Sequence, residues 1–344
     1  MSQTVRINTL QSSQTAYKKA LILLVLPGIF IFCFGKLFFA LVNAWLNNAV
    51  FSHGFFVSAI SIYLVWRRKE ELKQISIYPN VIVGLFILIA GVFLYVAGHI
   101  GGVFFVEELS LIITLTGMVM LVLGNEFLKV LLFPILYLVF MLTSWGILTE
   151  RLHLPFQIFS AFIGTSLLHM IGIPAYRESI LIELPNIKLE VAKVCSGVNY
   201  LVAVVAIGIP LAYMTIRSWP RRFILILSSL LMAMLANGLR VALIGTLAYY
   251  NISGDMHGPY HTLHAMIVSI AGYAVLFAGA WLLSEKAGPF GGKPDNSTPA
   301  ISVPERKLKK STVVITAGVL LLAGSYINFH SSTAVKTKAD LKYF

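Results

Sequence analysis

Charge is scarce in this sequence. Only 12% of its 344 residues are Asp, Glu, Lys or Arg, and the 14 acidic residues face 26 basic ones. With 58% hydrophobic residues and a mean hydropathy of +0.85, a chain of this length is too apolar to be a soluble domain. Cysteine is nearly absent. Cys33 lies deep in the first apolar run and Cys195 far along the chain, which argues against a disulfide framework and leaves Cys195 as a free thiol. No CxxC or HExxH spacing occurs, so no metal and no cofactor are expected. A cleavable signal-peptide pattern is also missing. The apolar run after Lys18 and Lys19 is too long for an h-region, so the first segment is expected to remain as an anchor. The net charge of +12 does not point to nucleic acid, because the basic residues lie mainly in short segments between apolar runs, as cytoplasmic loops do.

What the chain does have is a series of segments long enough to span a bilayer, at about twenty residues each. They cover 19–45, 54–66, 80–99, 108–124, 127–147, 197–216, 222–250, 262–284 and 312–329. This predicts an all-α polytopic membrane protein with about eight core transmembrane helices and one more at the C-terminal end. The expected division is a cytoplasmic tail over 1–18, a transmembrane core over 19–285, a Gly/Pro/Ser/Lys-rich cytoplasmic linker over 286–311, and a last helix with a short periplasmic tail over 312–344. Lys18 and Lys19, Arg67-Arg68-Lys69, Arg217 to Arg222 and Lys286 to Lys310 all fall inside only if residues 148–196 begin and end outside. Pro155 to Ile173 is then an interfacial or re-entrant helix. Alternation in Ile180 to Leu184 and Ile187 to Val191, around Pro185-Asn186, predicts a small extracytoplasmic β-hairpin leading into Cys195.

Three features on the outer side carry possible chemistry. Cys195 sits where a polar segment ends and an apolar helix begins. A helix N-terminus there favours the thiolate, although a small semi-buried cysteine at a helix start is the plainer alternative. Arg240 lies inside an otherwise apolar run, about two turns from the next loop, where a guanidinium costs about 2.5 to 3.5 kcal/mol to insert. It either serves a site, or snorkels outward or pairs with Asn237 or Glu190. His257, His261 and His264 cluster at the outer start of the following helix. Gly258-Pro259 interrupts a helix across all three, which disfavours a metal site. Thiol, imidazole and guanidinium together are the parts of a cysteine acyl-transferase: nucleophile, acid/base and oxyanion partner. Glu107 and Glu108 are read as solvated loop charges, and His53 as either a catalytic partner or a hydrogen-bonding residue beside Gly54.

The ordered motifs Ser52-His53-Gly54 with Tyr63 and Trp66-Arg67-Arg68, Cys195-Ser196-Gly197 after Glu190-Val191, Asn237-Gly238-Leu239-Arg240, and a histidine opening the next helix resemble the exosortase/archaeosortase family over roughly 20–285. Lys193 stands where that family often has an acidic residue. The family's His-x-x-x-Gly-Trp start of the last core helix aligns with His261, followed by Ala265 and Met266; His264 is the alternative and the loop residue His257 a third. The resemblance implies a membrane cysteine protease or transpeptidase in the bacterial inner membrane, its site facing the periplasm. Cys195 would be the nucleophile, His261 the acid/base and Arg240 the oxyanion or carboxylate clamp, oriented by Asn237, with Ser196 and Gly197 in support. It also implies the partners: exported proteins with a C-terminal Pro-Glu-Pro-like motif, a transmembrane helix and a basic tail (PEP-CTERM-like signals), and an unidentified acceptor nucleophile. A transporter or exopolysaccharide-export component is the rival reading, in which Arg240 and the histidines handle anions or protons and Cys195 is not needed.

Overall fold

The structure, a computed structural model, describes residues 25–48, 50–193, 196–252, 259–284 and 310–329; of residues 148, 199, 200, 259–269, 310 and 311 it describes the backbone alone. These residues form helices α1 (Val25–Cys33), α2 (Gly35–Asn47), α3 (His53–Arg67), α4 (Lys69–Gln74), α5 (Val81–Gly101), α6 (Phe104–Val122), α7 (Asn125–Tyr137) and α8 (Trp145–Met170). Strands β1 (Tyr176–Glu178), β2 (Leu181–Glu183) and β3 (Lys188–Glu190) follow, then α9 (Val198–Thr215), α10 (Trp219–Tyr249), α11 (Pro259–Leu283) and α12 (Lys310–Phe329). Among the described residues four helices are long and apolar enough to cross a membrane: α5, α6, α10 and the Thr312–Phe329 part of α12. The number rises to six if α1 with α2, and Asn125–Met141 with α8, each make one broken span.

The short segment expected over 54–66 is the single helix α3, whereas that over 127–147 does not form one helix: it is divided among α7, a 3-10 turn at Leu138–Met141 and the start of α8. The separate helix expected from Pro155 to Ile173 is corrected as well. α8 begins at Trp145, and Pro155 lies inside it rather than at its start. Proline removes one intrahelical donor, but a helix among apolar neighbours continues past it when packing restores the loss.

The chain divides into two compact units, the first ending at Ser144 and regaining α12, the second beginning at Trp145. In the first, Gly84, Gly91 and Gly98 repeat every seven residues along α5. A β-carbon on Gly84 would lie 2.5 Å from the Leu121 backbone of α6, so the two helices touch backbone to backbone. Glu108 on α6 is fully buried and accepts from Thr143 N at 2.7 Å, Thr143 Oγ1 at 2.6 Å, Ser144 N at 2.9 Å and Ser144 Oγ. Glu107 faces His99 Nδ1 at 3.4 Å, with both side chains 13% exposed. Neither is the solvated loop charge expected. His53 turns both ring nitrogens to backbone carbonyls, Nδ1 to Val50 O at 2.9 Å and Nε2 to Phe140 O at 3.2 Å. Gly54 makes room for the Trp45 indole, whose Nε1 donates to Met141 O at 3.0 Å. The Ser-His-Gly stretch is thus a packing node, joining α2, α3 and the 3-10 turn.

In the second unit the sheet is an antiparallel meander of three strands, β1-β2-β3, where two were expected. Alternation along β2 turns Ile182 inward, where it packs with Ile173, Leu184 and Val191 against Ala161 and Leu168 of α8 and Val241, Ala242 and Ala248 of α10. Asn186, in the turn between β2 and β3, donates to Ala248 O at 2.9 Å and Tyr249 O at 3.2 Å, covering carbonyls that the end of α10 leaves without intrahelical partners. Helices α9, α10 and α11 share a second core of Ala212, Ile216, Leu225, Leu276 and Ala280.

Candidate functional site

Helix α8 builds this site. Thr149, His153, Gln157, Ser160 and Gly164 recur at intervals of four, four, three and four residues, which puts them on one face of the helix. Thr149, Gln157 and Ser160 are buried, a polar stripe inside an apolar unit. Small residues bring α10 against the same helix. A β-carbon on Gly238 would stand 2.4 Å from Ile163 Cγ2, one on Gly164 2.6 Å from Val241 Cγ1, and one on Gly245 2.9 Å from Leu168 Cδ1. Side chains at this crossing are therefore close enough to bond directly: Asn237 Nδ2 donates to Ser160 Oγ at 2.8 Å.

Asn237 is 0% and Arg240 4% exposed. Three residues apart, they lie on neighbouring parts of one α10 face. Arg240 stands nine residues before the helix ends at Tyr249, about 14 Å at 1.5 Å per residue. That is too deep for the snorkelling expected of an arginine near a helix end, and the side chain is buried.

The start of α9 meets α10 at Asn237. Gly197 precedes the first turn with φ +85°, a left-handed conformation that costs a side-chain-bearing residue about 1 to 2 kcal/mol. A β-carbon there would lie 3.2 Å from Asn237 Cγ. Ser196 is 1% exposed: its N–H donates to Lys193 O at 3.0 Å, its Oγ accepts from Val198 N at 3.3 Å, and His153 Nδ1 lies 2.7 Å from that same Oγ. Two further α8 residues hold the approach to this corner. Gln157 Nε2 donates to Val191 O at 2.5 Å, and Glu150 pairs with Lys193. Lys193, where a carboxylate was expected from the resemblance, is thereby matched by a carboxylate from α8.

Of the residues singled out from the sequence, Ser196, Gly197, Asn237 and Arg240 are brought into this one region. Cys195 and His257 lie outside the described residues. The backbone of α11 carries His261 and His264 in its first two turns, with Pro259 at the position where its fixed φ suits a helix start; their side chains lie outside the described residues. His153, Gln157 and Ser160 were not singled out. Their spacing on one helical face was the available signal, obscured by taking Pro155 as a helix start. Among the described residues no group of three His, Cys, Asp or Glu side chains is placed to hold a metal ion.

A family profile described as transmembrane exosortase (Exosortase_EpsH) matches residues 45–278. No curated protein and no solved structure matches the chain.

Proposed function

The chain belongs to the transmembrane exosortase family, and from that premise we propose that this multi-pass membrane protein is a cysteine peptidase or transpeptidase acting on C-terminal sorting signals of exported proteins. The observation that carries the reading is the contact of Gly197 with Asn237, one helical turn from the buried Arg240. It joins the Cys-Ser-Gly and Asn-x-x-Arg motifs, 40 residues apart in sequence, at one point of one unit.

In the proposed reaction the Cys195 thiol gives its proton to an α11 histidine, His261 with His264 as the alternative, and the sulfur attacks the scissile carbonyl just before the substrate's transmembrane helix. Arg240 stabilises the oxyanion through a cation with several fixed donors in a low-dielectric setting. The tetrahedral intermediate collapses as the C–N bond breaks, the histidine protonates the leaving amine, and the acyl group remains on sulfur as a thioester. An acceptor amine, or water, then attacks the thioester and restores the thiol. A periplasm-facing site in the bacterial inner membrane fits this substrate, which arrives as a helix within the bilayer. Asn237 holds the α10 face through Ser160 and so orients Arg240.

The test is processing of an exported reporter that ends in a Pro-Glu-Pro-like motif, an apolar helix and a basic tail. Cys195→Ala is expected to abolish cleavage and leave the membrane-inserted protein folded. Normal processing by that variant sinks the peptidase reading and leaves the transporter reading in its place.

A further inference from the structure

We propose that His153 is a positioning residue for the cleavage site, holding the Cys-Ser-Gly corner through the Ser196 hydroxyl; this rests on the reading of the chain as a cysteine peptidase. Helix α8 meets the segment leading into α9 three times, at Gln157–Val191, Glu150–Lys193 and His153–Ser196. Residues 150, 153 and 157 are spaced i, i+3 and i+7, so one helical face grips the segment at its start, its middle and its end.

At the serine end of the His153–Ser196 contact, Ser196 is 1% exposed. A buried hydroxyl needs both an acceptor for its proton and use for its lone pairs. The Ser196 oxygen accepts from Val198 N at 3.3 Å, and His153 Nδ1 at 2.7 Å is placed to take its proton. In the proposed arrangement the imidazole is neutral, with its own proton on Nε2. With Nδ1 engaged by Ser196, the part proposed for His153 is distinct from that of the α11 histidine. The left-handed Gly197 and its contact with Asn237 fix the other side of the same corner. Ser196 and Gly197 are thus fixed from both sides, and at a reacting centre a displacement of about 1 Å costs on the order of 10²-fold in rate.

Asparagine and glutamine substitutions separate the two ring nitrogens, because an Asn amide reaches the place of Nδ1 and a Gln amide that of Nε2. In the full-length membrane protein, His153→Ala, His153→Gln and Ser196→Ala are each expected to lower kcat for reporter cleavage by about 10 to 10²-fold with KM unchanged. His153→Asn is expected to restore most of the loss, and the double variant carrying both His153→Ala and Ser196→Ala to be no slower than either single one. An inactive His153→Asn alongside a fully active Ser196→Ala overturns the proposal, since His153 then acts in proton transfer rather than through the serine. A second readout does not require the peptidase activity: the iodoacetamide alkylation rate of Cys195 in a Cys33→Ala background. His153→Ala and Ser196→Ala are expected to change it by the same factor, and His153→Asn to leave it near the parent value. An unchanged rate in His153→Ala overturns the positioning role even if cleavage is never detected. Matched changes in alkylation, with processing intact in Cys195→Ala, overturn the peptidase reading alone. Melting curves of each variant in detergent separate unfolded protein from either result.

Discussion

Gly197 stands against the side-chain amide of Asn237: a β-carbon on the glycine would lie 3.2 Å from Asn237 Cγ and 3.4 Å from Nδ2. The amide is held from the other side by Ser160 of α8, so three elements of the second unit converge on one buried asparagine. Arg240, one turn along α10 and 4% exposed, is the residue that the proposed mechanism orients from that point.

Gly197→Ala combines two effects that a control glycine separates. Gly172 has φ +81° but would meet nothing within 4 Å, whereas Gly197 has φ +85° and the Asn237 contact. Both alanine variants are expected to lose about 1 to 2 kcal/mol from the left-handed backbone, read as similar drops in melting temperature. Only Gly197→Ala is expected to lose cleavage, by tenfold or more; equal activity in the two variants removes the contact from the mechanism.

Replacing Arg240 by lysine retains the charge and removes the planar array of donors. Cleavage is expected to fall by about 10²-fold, the size of losing one preorganised oxyanion donor, with the folded fraction unchanged. Wild-type rates in Arg240→Lys would mean that a point charge suffices there.

The Ser160–Asn237 bond is open to a double-mutant cycle. Ser160→Ala removes the acceptor of a buried amide and is expected to cost about 1 to 3 kcal/mol; Asn237→Ala is expected to cost a similar amount, and the double variant less than the sum. Additive melting shifts would show that the two side chains are not coupled.

Glu108→Gln tests the first unit. The carboxylate accepts from two backbone N–H groups and two hydroxyls of Thr143 and Ser144, whereas an amide offers one oxygen and turns its NH2 toward one of two backbone N–H groups that can only donate. The variant is expected to melt several degrees lower and to accumulate less in membranes. Unchanged stability would make the buried carboxylate dispensable to this fold.

Much of the architecture was legible from pattern. Apolar runs of about twenty residues announce membrane helices because a bilayer leaves unpaired backbone groups no partner. Alternation around Pro185-Asn186 announced strands, though β1 was missed, since Tyr176 to Glu178 offers only three residues of pattern. Asn237 and Arg240 were visible as a pair because three residues is a neighbour distance on a helix. Glu108 was misread because its partners lie 35 and 36 residues away, and a carboxylate near a loop looks solvated until those donors are brought to it.

The same limit applies to the corner that begins α9. The sequence alone marked Cys195-Ser196-Gly197 as a boundary and set Asn237 near Arg240, because each of these is a property of one element. That Gly197 abuts Asn237, that His153 reaches Ser196, and that Lys193 finds its carboxylate on α8 follow from how closely α8 and α10 cross. Gly164, Gly238 and Gly245 set that approach, and periodicity within a helix carries no record of which other helix will fill the space they leave.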